Sequence, residues 1–279
     1  MSLVSPTQVS DGSTADASDI NTPVNQLAAV INGNIDNSNI VSGAAIDGAK
    51  IASNSIDIGA KASTWDGWIA VSDTWTYASA TTVTVPSDAT AKYSVGDKVR
   101  FTNSGTKYFY ITAVASTTLT LNGGSDYTVA NAAITVPYYS KAETPVGFPQ
   151  WFNFTPNFPG TTLGSGTVAG FFAMCGKVVH LRASFTLGAG SAVSAAQLTL
   201  PITSATYTVN ETFGSSSMND VSAGTFNIGP VIWASTTTIT LGCINASGTY
   251  GALSGTSSVV PFTWATGDVM QFNLTYRAA

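Results

Sequence analysis

Strict alternation of apolar and polar residues in the last part of the chain constrains its fold more than any other feature. The segment KVVHLRASFTL places apolar side chains at every second position from Val179 to Leu187, with polar residues such as His180 and Arg182 between them. The segment TGDVMQFNLTYR repeats this pattern from Met270 to Tyr276. Successive side chains of a β-strand point to opposite faces. Both segments therefore predict strands with one buried and one solvated face.

Shorter segments of the same kind extend this interpretation to a mainly β fold. TTVTVP, VGDKVRFT, TKYFYITAV and TTLTLNGG predict strands, and Asn-Ser-Gly at residues 103–105 predicts a hairpin turn between two of them. We expect a small antiparallel β-barrel over residues 64–145. Pro137, Pro145 and Pro149 interrupt the ladder and indicate a domain boundary. About eight further strands with long loops predict a jelly-roll-like β-sandwich over residues 146–279.

A repeat of Ile-Asp occupies residues 34–63, beginning NIDNSNIVSGAAIDGAKIASNSID. A helix would turn isoleucines spaced by five residues about 140° apart, and a flat strand would send them to opposite faces. We therefore expect short extended pieces joined by turns, which become stable only against other copies of the chain. The prediction is an intertwined trimeric stalk, and the alternative is a disordered polar linker. The stalk core would consist of Ile35, Ile40, Ile46, Ile51 and Ile56.

The N-terminal region, residues 1–33, predicts a polar arm and one short helix. Thr22 suits a helix N-cap, Pro23 the first helical position and Gly33 the C-terminal cap. Val24, Leu27 and Ile31 would form one apolar stripe. The stripe can either start a helical bundle or dock on the body of the protein.

Charge and composition argue against several classes of partner. Only 9% of the residues are charged, and the net charge of -5 disfavours the clustered Lys and Arg that nucleic acid requires. No apolar segment is long enough to cross a membrane, so we expect no membrane insertion. The first residues, MSLVSPTQVSDGSTADASD, lack the basic and apolar regions of a signal peptide. We therefore expect assembly in the cytoplasm.

Candidate catalytic residues are few. A glycoside hydrolase needs two carboxylates on either side of the scissile bond, and the acids of the C-terminal part are Glu211, Asp220 and Asp268. Asp268 lies in the turn Thr-Gly-Asp that begins the last strand, which leaves Glu211 and Asp220 in the loop-like segment NETFGSSSMNDVSAG. His180 falls on a polar strand face beside Arg182. We expect no catalytic residues and no enzymatic activity.

The two cysteines, Cys175 and Cys243, are too few for a disulfide framework or a zinc site with cysteine ligands. Cys243 shares strand parity with Ile239 and Leu241, so we expect it to be buried. No metal and no cofactor are expected.

Binding residues are sought among aromatic and amide side chains near turns, because rings stack on ligands and amides hydrogen-bond to polar groups. Trp233, Asn245 and Tyr250 lie next to Gly/Ser-rich segments and are the candidates for binding a host saccharide or protein. The alternative for Trp233 is a place in the core. For Tyr250, the flanking glycines favour exposure.

Four segments together resemble structural proteins of tailed bacteriophages and prophages. They are the repeat AAIDGAKIASNSID, the block from Gly67 to Val136, the connector SKAETPVGFPQWFNFTPNF and the end WATGDVMQFNLTYRAA. The middle block is the most specific part, and the resemblance covers most of the chain after about residue 20. Members of this group are fibre-like or spike-like virion proteins.

The resemblance implies a homotrimeric virion appendage whose N-terminal region contacts other virion proteins and whose C-terminal head points outward. We expect the head to mediate attachment to the host cell. The alternative is a purely structural component such as a head fibre, a collar or a capsid decoration trimer.

Overall fold

The computed structural model describes residues 14, 16–31, 66–86, 88–208, 210–247, 249 and 251–279. It divides the chain into two compact units, Met1–Thr64 and Trp65–Ala279. The described part is mainly β, with one short N-terminal helix and antiparallel sheets, as the sequence predicts. The predicted stalk core, with all five of its isoleucines, and Tyr250 lie outside the described residues.

The helix α1 spans Ala17–Ile31 and begins earlier than predicted. Asp16 caps the helix, because its carboxylate accepts a hydrogen bond from the backbone N–H of Asp19. In return, the backbone N–H of Asp16 donates to the Asp19 carboxylate at 3.0 Å. This reciprocal capping box satisfies free N–H groups at the helix start, so Pro23 lies inside the helix instead of at its beginning. Val24 and Leu27 are 56% and 51% exposed.

The first sheet holds seven antiparallel strands of the described chain in the order β1-β7-β4-β5-β6-β3-β2. The strands are β1 (Ile69–Ala70), β2 (Thr76–Ser79), β3 (Thr82–Thr84), β4 (Lys98–Thr102), β5 (Thr106–Ala115), β6 (Thr118–Asn122) and β7 (Thr135–Ser140). The predicted turn at residues 103–105 joins β4 to β5, with Ser104 and Gly105 in the left-handed region.

The predicted closed barrel is not formed, because the edge strands β1 and β2 do not pair with each other among the described residues. β1 has only two residues and supports a single ladder, to β7. The connection between β3 and β4 instead contributes Ala89 and Tyr93 to the core, where the Tyr93 ring lies edge-on against Trp75. Pro137 also differs from expectation: it lies inside β7, at a register shift where Val136 has a φ of 50°. A bulge tolerates the missing N–H of proline.

The second sheet follows the order β13-β16-β15-β14-β18-β11-β10-β8 within the described chain, and β17 pairs with β16. A separate small pair joins β9 to β12. These strands are β8 (Phe152–Asn153), β9 (Thr161–Thr162), β10 (Thr167–Cys175), β11 (Val178–Thr186), β12 (Ala192–Val193), β13 (Gln197–Thr199), β14 (Thr212–Asp220), β15 (Thr225–Ser235), β16 (Thr238–Asn245), β17 (Ala252–Gly255) and β18 (Val269–Arg277).

The alternation in β11 and β18 is confirmed. The residues from Val179 to Phe185 and from Met270 to Tyr276 alternate between buried apolar and more exposed polar side chains. The buried residues of both strands join one core with Leu198 and Leu241, which come from the other end of the sheet. The sheet therefore curves until distant strands share a core.

The two sheets meet through aromatic side chains. Tyr110 of β5 packs edge-on against Phe152, and Phe152 stacks on Phe172 of β10 with ring centroids 5.8 Å apart. The boundary placed after residue 145 separates the two sheets, which together form the single compact unit Trp65–Ala279.

Candidate functional site

The face of the second sheet opposite its core is the candidate functional site, and we call it the outer face. Two rows of directly paired residues cross its middle strands, and the side chains of most of them line a concavity of about 550 Å³. The first row is Asn153, Phe171, Arg182, Asn273 and Ser215, and the second is Ala169, Ser184, Gln271, Ser217 and Ile228. This volume falls in the range of small-ligand sites.

Two aromatic rings stand at one side of the outer face. Phe171 is 43% exposed and Trp151 is 42% exposed. The Arg182 guanidinium lies 6.0 Å from the centre of the Trp151 ring, which is the outer limit of a cation–π contact. The rings and the guanidinium thus form one neighbouring group on β10, β11 and the segment before β8.

Hydrogen-bonding groups fill the centre of the outer face. The Ser217 hydroxyl donates to Gln271 Oε1 at 3.1 Å, and His180 Nδ1 lies 3.0 Å from Thr275 Oγ1. At the rim, Asp126 accepts from both the backbone N–H and the side-chain amide of Asn153 at 2.8 Å. These contacts orient hydroxyls and amides without burying them.

The charge of the outer face differs from that of the whole chain. The outward positions of the described strands β8, β10, β11, β18, β14 and β15 carry Arg182 and Arg277 but no Asp or Glu. The chain as a whole has a net charge of -5. Within the described residues the ion pairs involve Lys92, Arg100 and Lys141, so Arg182 has no carboxylate partner there.

An apolar strip adjoins this polar region on β15, β16 and β17. Phe226 and Ile228 are 71% and 65% exposed, and the directly paired Ile244 and Leu253 are 59% and 50% exposed. Exposed apolar groups that cluster in this way mark sites of association. We call these four residues the apolar strip.

Of the three predicted contact residues, the two that the structure describes, Trp233 and Asn245, lie apart from each other. Trp233 is 9% exposed and its indole N–H donates to Ser204 Oγ at 3.2 Å, which places it in the interior. Asn245 is exposed at the end of β16, six residues beyond the Ile239 that pairs with Trp233, or about 20 Å along the strand. Tyr250 lies outside the described residues.

The candidate pair of carboxylates is also separated. The segment expected to be a loop is the strand β14, with Glu211 just before it and Asp220 at its end. Nine residue steps of extended chain put them about 30 Å apart, whereas glycosidases hold their carboxylates within about 10 Å. Asp268 is fully buried and hydrogen-bonded to backbone N–H groups. These three acids do not form a hydrolytic pair.

The described part of the chain contains no cluster of three or more metal-ligating side chains, and no helix there is long and apolar enough to span a membrane. Cys175 is exposed and Cys243 is buried, as predicted for Cys243, and both are free thiols.

Trp151, Phe171 and Arg182 are site residues that the sequence patterns did not predict. One local signal could have found Phe171: Phe171 and Phe172 are adjacent in a strand, so one ring has to point away from the core. In β10 itself, TVAGFFAMC, no polar alternation marks which side of the strand faces solvent.

Comparison with known proteins found no matching family model, no matching curated protein and no matching solved structure.

Proposed function

We propose that the chain is the subunit of a tailed-phage virion appendage that attaches to the host cell through its C-terminal head. The observation that carries this proposal is the outer face, where exposed rings, amides and hydroxyls surround a concavity in an otherwise acidic chain. Such a mixture of stacking and hydrogen-bonding groups can bind a ligand without rearrangement of the backbone, because rigid strands hold the groups in place.

The assembly part of the proposal is a homotrimer in the virion. The stalk at residues 34–63 winds three copies together, and the N-terminal region binds other virion proteins. Val24 and Leu27 support this, since both are more than half exposed on α1 and provide an apolar surface for a partner. The head forms a two-layer jelly roll, which the core shared by Leu181 of β11 and Leu241 of β16 supports.

The proposed role includes no catalysis. The separation of Glu211 from Asp220 along β14 supports this, because the two carboxylates are too far apart to act on the same glycosidic bond. Incubation of the protein with polysaccharide from a bound host would then release no soluble sugar.

Two measurements test attachment. Electron microscopy of virions labelled with an antibody against the chain locates it, and adsorption of the purified full-length protein to host cells tests binding. We expect label on a tail or distal appendage and competition between the protein and the phage for cells. Label on the capsid, with no adsorption, would contradict attachment.

A structural role is the second candidate, and the apolar strip favours it. Phe226, Ile228, Ile244 and Leu253 suit burial against another protein better than contact with a hydrated glycan. A head fibre, a collar or a capsid decoration trimer would use such a surface to bind the particle. In that case the purified protein would bind to virions that lack it and would not adsorb to host cells.

A further inference from the structure

The geometry points to a saccharide that carries carboxylate groups as the ligand of the outer face, bound with its acid on Arg182 and a sugar ring against Phe171 or Trp151. This inference deepens the proposed function, because it names the class of receptor that the head would recognise. It rests on three independent properties of the face: its charge, its rings and its hydrogen-bonding groups.

The charge of the face selects an acidic partner. Arg182 lies in the first row of the face, the outward strand positions lack Asp and Glu, and Arg182 has no ion-pair partner among the described residues. Asp126, an acid at the rim, accepts two hydrogen bonds from Asn153, which lies two strands away from Arg182. A guanidinium binds a carboxylate through two parallel hydrogen bonds.

The rings select a sugar. Phe171 is paired directly with Arg182, so a ligand held by the guanidinium reaches the phenyl ring on the neighbouring strand, about 5 Å away. The indole of Trp151, which immediately precedes β8, lies on the same side of Arg182 as Phe171, with its ring centre 6.0 Å from the guanidinium. The C–H face of a pyranose packs on such rings while its hydroxyls stay hydrated.

Amide and hydroxyl side chains in the two rows of the outer face can hydrogen-bond to the remaining hydroxyls of the sugar. Asn273 is paired with Arg182, and Gln271 and Ser217 lie in the next row, where the Ser217 hydroxyl already orients the Gln271 amide. Amides and hydroxyls both donate and accept, which matches the hydroxyl groups of a sugar. A lipid or an apolar peptide would leave these groups without partners.

A second copy of the chain related by a two-fold axis suits this polar region poorly. Two copies that met face to face through it would bring their Arg182 side chains towards each other with no acid between them. Like charges at an interface disfavour that contact. The apolar strip, which lacks charge, adjoins this polar region at Ile228.

The test is binding of the purified full-length protein to an array of immobilised bacterial capsular and lipopolysaccharide glycans, both acidic and neutral. We expect the retained glycans to carry carboxylates, with weaker retention at 300 mM than at 50 mM NaCl. Arg182→Ala should weaken retention about tenfold or more, the effect of losing a charge-assisted pair. Phe171→Ala should weaken it as well, with the melting temperature unchanged in both variants.

The matched control is Arg277→Ala. It removes the same charge from the same face, about 13 Å along the sheet from Arg182, beyond the screening length of physiological salt. Retention by this variant should stay within about twofold of the wild type. An equal loss of glycan retention in the Arg182 and Arg277 variants would show that retention depends only on net charge, which would contradict a binding site at Arg182.

The remaining outcomes separate this inference from the proposed function. If no acidic glycan is retained, whether or not neutral glycans are, the ligand is not a carboxylate-bearing saccharide. Adsorption to cells would still support attachment in that case. Adsorption abolished by protease treatment of the cells but not by periodate would identify a protein partner and also overturn it. Acidic glycans retained by a protein that adsorbs to no host cell would uphold the ligand class and contradict the attachment role.

Discussion

The carboxylate of Asp268 accepts a hydrogen bond from the backbone N–H of Val221, which lies 47 residues earlier in the chain. Its other oxygen accepts from the backbone N–H of Ala265 at 2.6 Å, and the side chain is fully buried. Val221 follows β14, and Asp268 precedes β18, the strand that pairs with β14. One buried carboxylate therefore joins the β14–β15 hairpin to the start of the last strand.

Replacement of this carboxylate should destabilise the head. We expect Asp268→Ala to lower the free energy of unfolding by about 3 kcal/mol, because it leaves two backbone donors without an acceptor. Asp268→Asn keeps one acceptor and should lose less. Asp220→Ala removes a partly exposed acid of the same region, which accepts hydrogen bonds from Ser222 and Ala223 of the adjoining turn, and should cost less than Asp268→Ala. Denaturant titration measures all three, and equal losses for residues 268 and 220 would contradict the assignment.

Asn103 should be similarly important for the first sheet. Its side chain is fully buried, its amide donates to the carbonyls of Ala130, Ala132 and Ala133, and its oxygen accepts from Ala130 N at 2.7 Å. We expect Asn103→Asp to cost about 2 kcal/mol or more, since a carboxylate would then face three carbonyl oxygens. Asn157→Ala, at an exposed position, is the control. Thermal unfolding monitored by circular dichroism would detect the difference.

Tyr276 should make stability decrease at alkaline pH. Burial raises the pKa of its phenol, which donates to the carbonyl of Ile202 at 2.8 Å. Below about pH 10 the phenol is neutral in both states, and above it the unfolded chain alone releases the proton. Stability is therefore lost as the pH rises past about 10. Tyr276→Phe should cost about 1 kcal/mol at pH 7 and flatten this decline. Equal pH slopes in denaturant titrations of both proteins would contradict the burial effect.

Trp233 and Asn245 should respond differently to substitution. Trp233→Ala removes a buried indole, for which we expect a loss of about 3–5 kcal/mol in unfolding free energy. Asn245→Ala removes an exposed side chain at the end of β16 and should leave the melting temperature within about 2 °C. Adsorption to cells by the folded Asn245 variant then tests whether this residue contacts a receptor. A Trp233→Ala protein with wild-type stability would show that the indole is not a core element.

Association should depend on the N-terminal unit. Light scattering of the full-length protein should give about 86 kDa, three times the 28.6 kDa chain. A chain that starts at residue 64 should fold and associate less strongly. Val24→Asp combined with Leu27→Asp should weaken association without loss of β-structure, because both side chains are exposed on α1. A monomer at micromolar concentration for the full-length protein would refute the trimer.

Local patterns in the sequence determined the secondary structure of this protein and many of its buried faces. Alternation identified β11 and β18 and placed Leu181 and Phe272 inward, as the structure confirms. The turn at Asn103-Ser104-Gly105 was also predictable, because a left-handed conformation is favoured at glycine. These features depend only on residues that are close in sequence, and alternation with a period of two indicates a strand with one buried face.

Tertiary structure decided where strands ended up and which polar groups became buried. Lys98 lies on the polar side of its strand by pattern, yet it is 4% exposed because Tyr110, Phe148 and the carbonyl of Ala142 surround its ammonium group. The serine-rich β14 gave no apolar alternation and is a strand only because β15 and β18 supply partners for its backbone.

The outer face is likewise a property of the assembled sheet. Phe171, Arg182, Asn273 and Ser215 are separated by up to about a hundred positions in sequence, and pairing of β10, β11, β18 and β14 places them in one row. For Arg182 and Asn273, the alternation within β11 and β18 determined that the side chain leaves the core. Which side chains became neighbours depended on strand order, which is set by long-range packing that no short segment encodes.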